Sequence, residues 1–123
     1  MLHSLKVYSY SKCSTCRKAL KWLQSNSINY EVIDIINEPP SREIISEAIS
    51  QVGTSKKLFN TSGLSYRNLG AKAVNSMTEE EKLNHLIKDG RLIKRPLLIS
   101  SKGGILVGFK MEEWVDLLLN DRN

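Results

Sequence analysis

Ser11-Lys12-Cys13-Ser14-Thr15-Cys16-Arg17-Lys18-Ala19-Leu20-Lys21-Trp22-Leu23 carries both cysteines of this 123-residue chain. Before it, Leu5, Val7 and Tyr8 alternate with polar residues, which predicts a short strand over Leu5–Ser9. After it, Ala19, Leu20 and Leu23 fall at helical spacing, with Arg17, Lys18, Lys21 and Gln24 on the other side. That predicts a helix from about Ser14 to Asn26, ended by Asn26-Ser27. Tyr30-Glu31-Val32-Ile33-Asp34-Ile35 then reads as a second strand. Strand, helix, strand within about thirty residues is a βαβ unit, so the two strands should run parallel. A cysteine at the start of the helix is well placed to be a nucleophile. The free N–H groups and the dipole there stabilise negative charge, and Lys12, Arg17 and Lys18 add to it.

Downstream, Asn37-Glu38-Pro39-Pro40-Ser41 is the sharpest break in the chain. The prolines suit the start of a helix, with Ser41 as N-cap and Glu43 in its first turn. Ile44, Ile45, Ala48, Ile49 and Val52 give that helix one apolar face, and Gly53 ends it. Residues 56–70 show no sustained period and read as a helical turn, a polar loop and a short helix near Tyr66–Leu69. Thr78-Glu79-Glu80-Glu81 is a capping box, followed by the stripe Leu83, Leu86, Ile87 and a stop at Asp89-Gly90. Leu97–Ser100 and Ile105–Val107 read as a hairpin about Lys102-Gly103-Gly104, and Met111–Leu119 as a final helix with Trp114, Leu117 and Leu118 on one face.

The length suits one domain, here residues 1–123. Hydrophobic content of 41% and charged content of 25% are ordinary for a globular protein. No apolar run is long enough to span a membrane, and the first residues lack the apolar core and cleavage site of a signal peptide. The expected location is the cytoplasm, where a cysteine pair is more often catalytic or sensing than structural. The net charge of +5 fits an anionic small substrate, a nucleic acid or an acidic partner. Because the basic residues are scattered, a solvated surface is favoured over direct DNA binding.

Cys13-x-x-Cys16 is the main chemical signal. The spacing lets Cys13, ahead of the helix, act as nucleophile while Cys16, inside the first turn, resolves the mixed disulfide. Two ordinary buried thiols are the alternative. Zinc would need His3 and His85, neither of which has ligand spacing, so no metal is expected. Arg95-Pro96 is the second signal. It is either the entry to a strand with a surface arginine, or a cis peptide beside the thiols with Arg95 turned toward Cys13 to bind an oxyanion or stabilise a thiolate. Asn60-Thr61-Ser62-Gly63 is either a site loop of hydrogen-bonding side chains or a plain turn.

Taken together, several segments resemble the arsenate-reductase (ArsC) family, which includes the Spx-like regulators and the YffB-like proteins. They are Cys13–Ala19, Pro39-Pro40-Ser41, Lys57–Gly63 with Tyr66-Arg67, Leu92–Leu97 and Val107-Gly108-Phe109, in family order over nearly the whole chain. The resemblance implies an α/β thioredoxin-like fold: βαβ, a helical insertion at about 40–92, then ββα, with a mixed four-stranded sheet and Pro96 as a cis-proline facing the thiol. It implies Cys13 as nucleophile, Arg17 as the helix-start arginine and Arg95 as one of three oxyanion arginines. Asn60 stands at the position of a second arginine and Gly108 near the third, with Arg67 a candidate substitute. The loss of two charged donors argues against tight arsenate binding. Cys16 supplies an internal resolving thiol.

The function so implied is a thiol–disulfide oxidoreductase without a bound cofactor, recycled by glutathione, glutaredoxin or thioredoxin. Cys13 and Cys16 are its catalytic residues, and Arg17, Asn60, Arg95 and Pro96 contact the substrate, which includes the option of a small oxyanion. The alternative is an Spx-like redox-sensing regulator that binds the RNA polymerase α subunit. The Leu58–Gly63 and Val107–Phe109 segments are closer to the YffB-like branch, and the regulators tend to have longer C-terminal ends.

Overall fold

The computed structural model describes residues 4–120. They divide into two compact units. The first joins the N-terminal segment up to Asp34 to the segment from Arg95 onward, and the second is Ile35–Lys94.

The first unit is built on β1 (Lys6–Ser9), α1 (Ser14–Ser25), β2 (Glu31–Asp34), β3 (Leu97–Ile99), β4 (Ile105–Val107) and α6 (Met111–Val115), which continues as a π-helical turn over Asp116–Asn120. Its four strands lie in the order β2-β1-β3-β4. β1 and β2 are parallel, as the intervening helix requires, with Val7 opposite Val32. β1 and β3 are antiparallel, with Val7 opposite Leu98, and β3 pairs antiparallel with β4. This mixed four-stranded sheet with its βαβ and ββα halves is thioredoxin-like. α1 and α6 share a core with the sheet, in which Leu5, Val7, Ala19, Leu23, Leu98 and Trp114 are buried together. Trp22, Phe109 and Trp114 add a ring cluster, with Phe109 edge-on to Trp114 at 4.9 Å and Trp22 edge-on to it at 6.2 Å. The Trp114 indole N–H donates to the Gly108 carbonyl at 3.1 Å, so the buried ring leaves no polar atom unpaired.

The second unit contains α2 (Arg42–Val52), α3 (Leu64–Leu69), α4 (Ala71–Ser76) and α5 (Glu79–Lys88), with 3₁₀ turns at Ser55–Leu58 and Gly90–Leu92. Ser41 caps α2 by accepting from the Ile44 N–H, and Gly53 ends it at φ 94, a left-handed conformation that glycine adopts without strain. The Thr78–Glu81 capping box is complete, with both reciprocal bonds formed. Phe59 bridges to Ile93, and the Lys94 N–H donates to the Leu58 carbonyl at 2.7 Å, so the C-terminal end of this segment is tied to the stretch that follows its first 3₁₀ turn.

Two expectations need adjustment. α4 was not foreseen, because Ala71, Lys72 and Ala73 are exposed and Val74 is its one buried residue, too little for a periodic pattern. The final helix is α-helical to Val115 rather than to Leu119.

Gly90 has a steric role. A Cβ built there would lie 1.8 Å from the Ile35 carbonyl oxygen, a backbone atom that cannot move aside. Gly90→Ala should therefore destabilise the protein by about 3 kcal/mol or more. Thr78→Ala, which loses one cap, should cost about 1 kcal/mol. Urea unfolding of both variants checks the order; equal midpoints would contradict it.

Candidate active site

β1 ends at Ser9, and the chain turns through Tyr10-Ser11-Lys12 before α1 begins. The Cys13 N–H closes this turn by donating to the Tyr10 carbonyl at 3.0 Å. Cys13 is the N-cap of α1, with extended backbone angles (φ −95, ψ 114). Its Sγ accepts from the Cys16 N–H at 3.2 Å, and its carbonyl accepts from the Arg17 N–H at 3.1 Å. A cap of this kind is usually a Ser, Thr or Asp oxygen. Here a sulfur takes the place, so the donor of the helix start is aimed at the atom that would do chemistry. The first turn contains no acidic residue to oppose negative charge on that sulfur.

Both cysteines are free, Cys13 half-buried and Cys16 fully buried. Burial pushes the Cys16 thiol up to about 11, helped by its hydrogen bond to Cys13. The Tyr10 backbone and the Ser9 side chain act on the same sulfur in the opposite direction, favouring its thiolate. At neutral pH, well below 11, Cys16 is therefore a protonated thiol resting against Cys13.

The Arg95–Pro96 peptide bond is cis. Pro96 is buried, and its carbonyl accepts from the Gly108 N–H at 2.8 Å, which fixes the start of the β3–β4 hairpin. The Arg95 guanidinium lies 5.1 Å from the centre of the Tyr10 ring, a cation–π contact. Its Nε is buried without a hydrogen-bond partner. Tyr10 thus joins the two signals of the sequence: its carbonyl holds the Cys13 N–H, and its ring holds Arg95. The Arg17 guanidinium donates to the Ser11 carbonyl at 2.8 Å and so braces the turn. Asn60 belongs to the helical unit. Its backbone N–H donates to Leu92, its carbonyl accepts from the Gly63 N–H, and its Oδ1 accepts from the Ser62 hydroxyl at 3.3 Å. These bonds give Asn60 a part in holding the 60–63 turn.

Ser9 and Tyr10 went unremarked in the sequence. The available signal was their position, directly ahead of the cysteine turn at the end of a strand. Among the described residues, no group of three or more His, Cys, Asp or Glu could hold a metal ion. His3 lies outside the described residues, and His85 sits in the last turn of α5.

The profile of the ArsC family matches residues 8–117, a span that includes both cysteines and the cis-proline. The chain belongs to the ArsC family. It is 43% identical over 113 residues to the uncharacterized protein YusI of Bacillus subtilis, covering 90% of this chain and 95% of that one. A crystal structure of an ArsC family related protein from Bacteroides fragilis superposes with a TM-score of 0.85 at 41% identity, over 95% of this chain and 99% of that one. Two functional branches of the ArsC relatives are more distant. The regulatory protein MgsR of B. subtilis is 29% identical (95% of this chain, 92% of that one), and an arsenate reductase of Escherichia coli is 25% identical (83% and 72%). No helix among the described residues is long and apolar enough to cross a membrane.

The two thiols should differ sharply in reactivity. Iodoacetamide at pH 7 should label Cys13 and spare Cys16 until the protein is unfolded or the pH approaches 11. Peptide mapping after limited labelling reads the ratio; equal labelling at pH 7 would contradict the arrangement.

Proposed function

We propose that this ArsC family protein is a cytoplasmic thiol–disulfide oxidoreductase in which Cys13 attacks and Cys16 resolves. One observation carries the reading: two free thiols lie one helical turn apart at the start of α1, where the Cys16 N–H donates to Cys13 Sγ. In the first step the Cys13 thiolate attacks a substrate disulfide. A Cys13–substrate disulfide forms, the substrate's own S–S bond breaks, and one thiol leaves. In the second step Cys16 loses its proton and attacks Cys13 Sγ. The Cys13–Cys16 disulfide forms and the second thiol leaves, so the substrate gains the two electrons that the protein loses. Two glutathione molecules, or the dithiol of a glutaredoxin or thioredoxin, then restore both cysteines and are oxidised themselves.

The contacts of Cys16 suit this order. Its hydrogen bond to Cys13 and the charge of Cys13 both hold its proton on. Once Cys13 is tied up in a mixed disulfide, both influences weaken, while Ser9 and the Tyr10 backbone continue to favour the Cys16 thiolate. Cys16 therefore becomes a better nucleophile at the stage that needs one. Arg95, whose guanidinium lies over the Tyr10 ring beside the cysteine turn, is the cation we assign to an anionic substrate portion such as a glutathione carboxylate or a small oxyanion. Arsenate is the least favoured substrate. Asn60 is engaged in its own turn, and Gly108 sits buried at φ 80, a conformation in which an arginine side chain would be strained.

The same pair could instead act as the switch of a regulator that binds the RNA polymerase α subunit. The similarity to MgsR supports that reading. Both readings share the disulfide and differ in turnover.

With glutathione and a disulfide substrate, Cys13→Ser should abolish reduction, by about a hundredfold or more for loss of the nucleophile. Cys16→Ser should accumulate a Cys13–glutathione adduct visible by intact mass. Unchanged reduction by the Cys13→Ser variant would overturn the enzyme reading. Redox-dependent capture of the α subunit without turnover would favour the regulator.

A further inference from the structure

The helical unit holds a cavity of about 230 Å³ whose lining comes from four consecutive elements and the loop after the first of them. Phe59 and Thr61 follow the first 3₁₀ turn, Tyr66 lies on α3, Val74 and Asn75 on α4, and Lys82 on α5, with Lys56 contributed by the turn itself. Its walls divide into two kinds. Phe59 and Tyr66 meet as a tilted ring pair at 6.0 Å, and Val74 extends that apolar wall. Lys56, Lys82, Thr61 and Asn75 supply donors, two of them cationic. No acidic residue is among the lining residues.

Lys82 is a positioned cation rather than a waving surface lysine. Its side chain is only 16% exposed, and its ammonium is anchored to Glu79 at 3.1 Å. Glu79 is itself held by a hydrogen bond from Ser55, one of the few buried polar side chains of the protein. This bond and Lys82 together draw the Glu79 carboxyl below its usual range. An ammonium has three donors, and the bond to Glu79 uses one. The rest remain for a ligand on the cavity side.

We propose that this cavity binds a small organic anion with a flat apolar body, of the aryl carboxylate class. The ring lies against Phe59 and Tyr66, and the carboxylate is held by Lys82 and Lys56, with Asn75 and Thr61 as neutral donors. A free inorganic ion is a poorer fit. It would leave the aromatic wall unused, and the volume is several times the roughly 30 Å³ share of a water molecule. Every residue of the site lies in the helical unit.

Titration of the ¹⁵N-labelled full chain with sodium benzoate tests this. Saturable amide shifts confined to Thr61, Tyr66, Asn75, Lys82 and their neighbours are expected, at roughly millimolar concentration for a fragment of this size. Inorganic phosphate should bind roughly tenfold more weakly or worse, because it lacks the apolar body. Lys82→Met, which keeps the buried stem and loses the charge, should weaken benzoate by roughly tenfold or more. Lys56→Met, at an exposed side chain that threatens no packing, should weaken it several-fold. Lys57→Met, a neighbouring lysine outside the cavity, should leave it unchanged. The proposal is overturned if benzoate gives no saturable shifts, if the shifts map elsewhere, if phosphate binds as well, or if the three lysine variants behave alike.

Discussion

The bond from the Cys16 N–H to Cys13 Sγ organises the functional half of this protein. It makes a thiol the cap of α1, satisfying one of the orphan donors of the helix start with a sulfur. The requirement to place a helix start there explains the neighbouring structure. The strand must end at Ser9, the turn must close through Tyr10, and Cys16 must fall inside the first turn, facing the core. Burial then follows for Cys16, and with burial its high proton affinity. A half-buried capping thiol and a fully buried one thus arise from the same three-residue spacing.

The sheet supplies the opposing constraint. β3 enters antiparallel to β1, so the Arg95–Pro96 cis bond at its head comes to the end of the sheet where the cysteine turn lies. The Tyr10 ring accepts the Arg95 guanidinium there. This pairing keeps a permanent positive charge next to the turn and leaves a buried Nε–H unpaired, an arrangement with a cost. Arg17 and Asn60, which the family resemblance also placed at the substrate, instead spend their described hydrogen bonds on their own local turns.

Much of this was legible in the chain. The switch from alternating to helical spacing around Cys13 identified the βαβ unit, and Ser41, Gly53 and the Thr78–Glu81 box marked helix ends that the structure places within a residue of expectation. These signals are local, and each has a backbone group to satisfy. α4 was not legible, because a six-residue helix with one buried residue has no period to detect. Nor was the π-helical turn after Val115, which the run Leu117-Leu118-Leu119 disguises as a regular helix. At the site, the thiol pair was evident from spacing, whereas the roles of Tyr10 and Ser9 depend on residues brought together by strand pairing. A tyrosine stacked under an arginine leaves no pattern in sequence, and a serine beside a buried thiol looks like any other serine.

The central claim is that Cys13 and Cys16 form one two-electron couple. A redox titration of the wild-type protein in glutathione buffers of graded ratio, quenched with acid and read by intact mass, tests it most directly. The account predicts a single transition from dithiol to internal disulfide, with a two-electron slope and only a minor glutathione adduct. A stable glutathione adduct on Cys13 as the end product, with Cys16 still a thiol, would contradict it.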